Sequence, residues 1–336
     1  MEDGYSLIKH IKINNSDPIC SIDLNEELLL FGTMLGYCGY FLIKPEEKLI
    51  KISEREDEHI SATQIRNNKL YIVVGDEKVI IAEKSDKKNI IDEIYNYEDD
   101  SDHFKVCEKT FCMLKNNFLF SIELKIPEEG EQKASKNQCD WRIKNLEKRK
   151  THKGNVEISD FWAPFDYDGN FLIFLEFLDG GKRTFDIYSL YDEKFLKQIN
   201  LDKENIGHIS HAKIFGESKN IFLVYSYKIC QIRDFNFKLI KEFQHKGNEI
   251  IACDIYLNKK ENIEVILLDI NCDVYLYKEK NNEEKYLFNL HKLYCIDQQF
   301  KMQKFFSMGY PYFIKIHKKL IAITTDQGCF LLKEEE

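Results

Sequence analysis

Phe171-Leu-Ile-Phe-Leu175 reads as one buried strand, and six other segments of the chain repeat its character. They are Leu28-Leu-Leu-Phe-Gly32, Leu70-Tyr-Ile-Val-Val74, Phe118-Leu-Phe-Ser-Ile122, Ile221-Phe-Leu-Val-Tyr225, Ile263-Glu-Val-Ile-Leu-Leu268 and Leu320-Ala-Ile-Thr-Thr324. Each is too short, and too rich in β-branched and aromatic residues, for a helix, and each is bounded by Asn, Gly, Lys or Asp. Their starts at 28, 70, 118, 171, 221, 263 and 320 are spaced by 42 to 57 residues. A period of this size, with room for four short strands, predicts an all-β fold: a seven-bladed β-propeller of four-stranded antiparallel blades.

The turns between the segments repeat in phase with them. Arg66-Asn-Asn-Lys-Leu70 and Lys115-Asn-Asn-Phe-Leu119 are the same tight turn one unit apart, and His152-Lys-Gly-Asn155 recurs unchanged as His245-Lys-Gly-Asn248. Gly207-His208 lies between those two. From this punctuation the innermost strands are expected to begin near 19, 60, 109, 156, 209, 250 and 312. The last unit supplies only three strands, Tyr312–Ile316, Leu320–Thr324 and Phe330–Lys333. The last blade is therefore expected to be closed by the N-terminal strand Tyr5–Ile13, which removes an open sheet edge. Six blades is the competing count, because the third unit is irregular between 125 and 150. The whole of 1–336 reads as one domain, with a polar, flexible insertion at about 127–138 and an irregular one at about 293–310, either an added helix or an extension of blade six.

These elements resemble the WD40 repeat family. There a Gly-His element precedes the innermost strand and a Trp-Asp-like pair ends the third. The fullest unit runs from His152-Lys-Gly-Asn-Val156 through Pro164-Phe-Asp-Tyr-Asp-Gly169 and Phe171–Leu178 to Phe185-Asp186-Ile-Tyr188. The next has Gly207-His208, Ile221–Tyr225 and Gln231-Ile-Arg-Asp234, and a third runs from His245 through Ile250–Tyr256 and Ile263–Leu268 to Val274-Tyr-Leu-Tyr277. No Trp-Asp dipeptide occurs, so the family's His–Ser/Thr–Trp–Asp relay is incomplete in every blade. The resemblance implies a non-catalytic scaffold or adaptor in a multiprotein assembly.

Composition narrows the function classes. The 336 residues are 43% apolar and 31% charged with a net charge of −9, enough for a packed core and unfavourable for coating nucleic acid. No apolar run approaches the ~20 residues of a membrane-spanning helix, and the acidic start Met1-Glu-Asp-Gly-Tyr5 lacks a signal peptide's basic region. The ten cysteines are scattered through apolar segments without a CxxC pair, the usage expected of small buried hydrophobes in a reducing compartment, cytoplasmic or nuclear. No metal or cofactor is expected: His208 and His211 enter a strand facing opposite ways, and the acidic run Glu98–Asp102 lacks the glycine and terminal Glu of a calcium loop. There is no Gly-x-Ser-x-Gly, HExxH, P-loop or Gly-x-Gly-x-x-Gly, so no enzyme is expected, a small propeller hydrolase being the remote alternative.

In a propeller, the loops between second and third strands share one edge with the blade-to-blade connections. Tyr37, Asp76, Lys182, Arg183, Tyr227, Lys228, Asp326 and Gln327 are the candidate partner-binding residues there, with Tyr37, Arg183 and Tyr227 first because aromatic and Arg side chains anchor interfaces. The partners expected are other proteins or peptides, within a hetero-complex. One basic cluster, Arg142, Lys144, Lys148, Arg149, Lys150 and Lys153, suits a non-catalytic subunit of an RNA-modifying or ubiquitin-ligase complex, touching RNA or an acidic protein; otherwise it is a solvated edge strand.

Overall fold

In a computed structural model of the chain, each of the seven buried segments is the second strand of a four-stranded antiparallel sheet. The structure describes residues 5–12, 17–44, 48–53, 59–66, 68–75, 78–83, 91–95, 110–115, 118–124, 137–145, 150–158, 166–178, 182–258, 262–290, 313–325 and 328–335. The fold is a seven-bladed β-propeller, and two compact units carry its blades, one of 1–95 with 243–336 and one of 96–242.

The first unit holds four blades. Blade one is β2 (Ile19–Leu24), β3 (Leu28–Thr33), β4 (Cys38–Leu42) and β5 (Lys48–Ser53); blade two is β6 (Ile60–Arg66), β7 (Lys69–Val74), β8 (Lys78–Glu83) and β9 (Ile91–Tyr95). Blade six is β22 (Ile250–Leu257), β23 (Ile263–Asp269), β24 (Asp273–Lys278) and β25 (Glu283–Asn289). Blade seven has β26 (Ile314–His317), β27 (Leu320–Thr325) and β28 (Gly328–Glu334), and the N-terminal β1 (Tyr5–Lys12) completes it. β1 pairs antiparallel with β28 from Tyr5↔Glu334 to Lys12↔Gly328, as the three-plus-one count requires.

The second unit carries blades three to five. Blade three is β10 (Thr110–Lys115), β11 (Phe118–Leu124), β12 (Asn137–Asn145) and β13 (Lys150–Ile158). Blade four is β14 (Asp166–Tyr167), β15 (Phe171–Leu178), β16 (Lys182–Ser189) and β17 (Lys194–Asn200). Blade five is β18 (Ile209–Phe215), β19 (Asn220–Tyr225), β20 (Ile229–Arg233) and β21 (Leu239–Gln244).

One expected inner strand is displaced. Spacing predicts it near 156, but residues 150–158 form β13, the outermost strand of blade three, paired with β12. The inner strand of blade four is the two-residue β14, too short to give a periodic signal. Asn137 and Gln138, expected in the flexible insertion, open β12, because Asn137 pairs with Ile158 and Gln138 with Glu157. The rest of that insertion, the segment 293–310 and the acidic run Glu98–Asp102 lie outside the described residues. Asn68, in the turn after β6, takes φ 62, the left-handed conformation that Asn tolerates better than most residues.

Second strands are apolar along their length because both faces are covered, and outer strands alternate because one face meets water. β3 is buried at every position, whereas β17 alternates from Lys194 to Gln198. The core lies between neighbouring blades. Leu28, Leu30 and Tyr40 of blade one pack with Ile60, Leu70 and Ile72 of blade two; Phe120, Trp141 and Ile143 of blade three pack with Tyr167, Leu172 and Tyr188 of blade four. Of the seven cysteines whose side chains are described, six are buried, and burial pushes Cys139 and Cys329 up to about 12.

A recurrent polar clamp ties inner strand to inner strand. Asp23 Oδ2 accepts the Ile65 N–H at 2.7 Å, Asp254 Oδ2 the Ile316 N–H at 3.1 Å, and Asp166 Oδ2 the Ile214 N–H at 2.7 Å. Each carboxylate satisfies a backbone donor of the next blade, which sheet pairing alone leaves open. Burial pushes the Asp23 carboxyl above its ordinary range, and Lys315 pulls it back.

Candidate functional site

The candidate residues sit where a second strand turns into a third, and those turns are pinned from beneath. In blade one, buried Asp17 accepts from Thr33 Oγ1 at 2.7 Å and from the Leu35 N–H at 2.7 Å, and Thr33 Oγ1 in turn accepts the Tyr37 N–H at 3.0 Å. Gly36 supplies φ 86. This holds Leu35 up with 49% of its surface exposed. Tyr37 stacks at 5.8 Å on Phe31 and is half-buried, with Lys51 over its ring; burial raises its hydroxyl pKa. The expected anchor is thus a support, and its neighbour Leu35 is the exposed group.

Blade six builds the same kind of turn with a different carboxylate. Fully buried Asp269 accepts the N–H groups of Asn271 and Asp273 through Oδ1 at 2.9 and 3.0 Å, and that of Asn248 through Oδ2 at 2.9 Å. One side chain therefore ties the second-to-third-strand turn to the segment entering the blade. Ile270 is 37% exposed at the tip.

In the second unit the turn is Ser226-Tyr227, with φ 48 and 57, between β19 and β20. The Ser226 N–H donates to His208 O at 2.8 Å, and the His208 ring lies 5.6 Å from that of Tyr227, which is 40% exposed. A Cβ on Gly207 would stand 2.2 Å from Ser226 Oγ, so the connection passes directly over the turn. Arg183 joins the same connection, pairing with Asp202 at 3.2 Å while its carbonyl accepts the Leu201 N–H at 3.0 Å. Lys182 is exposed and Lys228 half-buried.

The structure thus brings Lys182, Arg183, Tyr227 and Lys228 to one edge of blades four and five, and places Tyr37 in the other unit. Asp76, Asp326 and Gln327 lie outside the described residues. Leu35 and Ile270 are the residues that sequence reasoning misses, an apolar side chain inside a turn being their only signal; His208 stands out in the sequence as part of the Gly-His element, not as a neighbour of Tyr227. Of the nine large apolar residues that are exposed among the described residues, three sit on these turns: Leu35, Tyr227 and Ile270.

The described part of the basic cluster lies on β12 and β13. Arg142 on β12 stands opposite Lys153 on β13, Lys144 opposite Thr151, and Asn145 opposite Lys150. Like charges face each other at Arg142 and Lys153, a destabilising pairing. As direct cross-strand partners, Arg142 and Lys153 share one face of the ladder. Lys148 and Arg149 lie outside the described residues.

Among the described residues no group of three His, Cys, Asp or Glu could hold a metal ion. His211 Nδ1 lies 3.1 Å from Ser210 Oγ. No helix among them is long and apolar enough to cross a membrane.

No protein-family model matches the chain, and no curated protein does. Solved structures do. The WD40 β-propeller domain of Doa1 superposes with a TM-score of 0.59 at 7% identity, covering 99% of this chain and 98% of that one. The computationally designed Ika8 protein gives 0.55 at 9% identity, covering 98% of each. At such identities the likeness shows the fold alone. That fold is the one the seven buried strands require.

Proposed function

We propose that the chain is a non-catalytic protein-interaction scaffold, a subunit of a hetero-complex in the cytoplasm or nucleus, docking its partners on the turns between second and third strands. The observation that carries this is the pinning of those turns. Buried Asp17 and Asp269 spend their hydrogen bonds holding Leu35 and Ile270 out in water, an arrangement that costs the isolated chain and suits a preorganised docking face. The WD40-like fold, generally an interaction platform, supports the same reading. To test it, the protein is taken from its native extract by gentle lysis and sized. It should elute well above its 39.9 kDa, and Leu35→Asp with Ile270→Asp should return it to the monomer position with its thermal unfolding intact. Elution of the unaltered chain as a monomer would overturn the proposal.

A second reading, a non-catalytic subunit of an RNA-modifying or ubiquitin-ligase complex, is favoured by the Arg142–Lys153 opposition in an otherwise acidic protein. Binding of RNA or an acidic protein left unchanged by Arg142→Gln with Lys153→Gln would remove it.

A further inference from the structure

The Ser226-Tyr227 turn is built against its own backbone preference. Its four residues, Tyr225 to Lys228, close with a Lys228 N–H to Tyr225 O bond at 3.3 Å, and both central residues have positive φ. This is the hairpin turn that favours Asn-Gly, and a bulky aromatic residue there is strained. Blade five contains a second strained aromatic, Phe237 with φ 67, which shows what an offset within the fold looks like. Phe237 is buried, its ring 5.4 Å from Phe185 and 4.4 Å from the Arg233 guanidinium. Tyr227 has the His208 ring beside it and keeps 40% of its surface in water. Strain kept at an exposed aromatic points to a use outside the chain.

The charges around it indicate what that use is. The carboxylates of the connection are already engaged, Asp202 with Arg183 at 3.2 Å and Glu204 with Arg233 at 3.6 Å. Lys182, Lys203 and Lys228 are left without an acidic partner among the described residues, in a chain of net charge −9. A tilted Tyr–His pair with three lysines on the adjoining strand, connection and turn is complementary to an apolar side chain flanked by carboxylates.

We propose that Lys182, the 201–208 connection and the Ser226-Tyr227-Lys228 turn bind an acidic peptide segment, one of whose apolar side chains packs on Tyr227 and His208. This rests on the docking-face reading above and names the partner chemistry of one part of that face.

The test uses the full chain and a fluorescently labelled twelve-residue Glu/Asp-rich peptide with one central Phe, read by anisotropy. Its controls replace every acid by the amide, or Phe by Ser. The acidic Phe peptide should bind at least tenfold more tightly than either control, and its affinity should fall with added salt. Tyr227→Gly gives the discriminating readout. Glycine relaxes the turn, so the thermal midpoint should hold or rise, while affinity drops about tenfold or more. Lys182→Glu with Lys228→Glu should abolish binding. Equal binding of the amide peptide, unchanged affinity in Tyr227→Gly, or full competition by a uridine oligonucleotide would each overturn the proposal. If these fail while Leu35→Asp with Ile270→Asp still dissolves the native assembly, the docking face stands and only its acidic partner is lost.

Discussion

His152-Lys-Gly-Asn155 and His245-Lys-Gly-Asn248 are the same four residues in two different structures. The first copy is extended inside β13, with His152 exposed and edge-on to Tyr191 at 5.0 Å. The second forms the entry to blade six, with His245 2% exposed and its Nδ1 2.6 Å from Glu284 Oε1. There Glu284 Oε2 also accepts the Lys246 N–H at 2.7 Å. What separates them lies outside the tetrapeptide. Glu284 on β25 and Asp269 at the end of β23 supply acceptors that fold the second copy into a turn. In blade three, the ladder with β12 takes up the backbone of the first copy, and Trp141 lies over its glycine. Buried carboxylates in a neighbouring strand outrank four identical residues.

Breaking the second copy should have the largest effect. His245→Ala leaves the buried Glu284 carboxylate without its ring hydrogen-bond partner and should cost about 3 kcal/mol in thermal or urea unfolding, the upper end for a buried polar group stripped of its partner. A loss under about 1 kcal/mol would show that the pair does not organise the turn.

The glycines come next, and they sharpen the contrast through coupling. A Cβ on Gly154 would stand 2.2 Å from Trp141 Cζ2, and one on Gly247 would stand 2.6 Å from His245 Nε2. Each Gly→Ala change should cost about 1–3 kcal/mol by overpacking. In a double-mutant cycle His245→Ala should relieve part of the Gly247→Ala penalty, with Asp269 Oδ2 at 2.8 Å and Tyr275 Cε2 at 2.9 Å carrying the rest, whereas His152→Ala should leave that of Gly154→Ala untouched. Additivity in both cycles would mean that neighbours other than the histidine set the fit at Gly247. The smallest effect is expected at the exposed copy: His152→Ala should stay within about 0.5 kcal/mol, checked by the same unfolding curves.

The same pair explains how far the sequence could be read. Six of the seven inner-strand positions and all seven second strands were legible, because strands covered on both faces must be apolar throughout. The fourth inner strand was misplaced because His152-Lys-Gly-Asn155 imitates a blade entry and the true strand, Asp166–Tyr167, is two residues long. The Asp23, Asp166 and Asp254 clamps were invisible: a lone carboxylate beside a strand reads as surface charge until the next blade's amide is placed against it. Tyr227 was legible as an aromatic in a turn. Leu35 and Ile270 were not, since their exposure depends on the buried Asp17 and Asp269 that hold each turn in shape. The run from 142 to 153 reads as one basic stretch, and what the linear sequence does not show is that Arg142 meets Lys153 across the β12–β13 ladder.

The pairing of β1 with β28 imposes a schedule on biosynthesis. Chain growth runs at roughly 5–20 residues per second, so β1 emerges on the order of tens of seconds before the strand it must join. During that interval Ile8 and Ile11 have no sheet to cover them, and the ladder they enter is the one of greatest sequence separation in the molecule. Such a contact forms late and slowly. The step that seals blade seven is therefore the one at which a nascent chain would most depend on a holding chaperone, and an early release from it would leave two sticky strand edges rather than one.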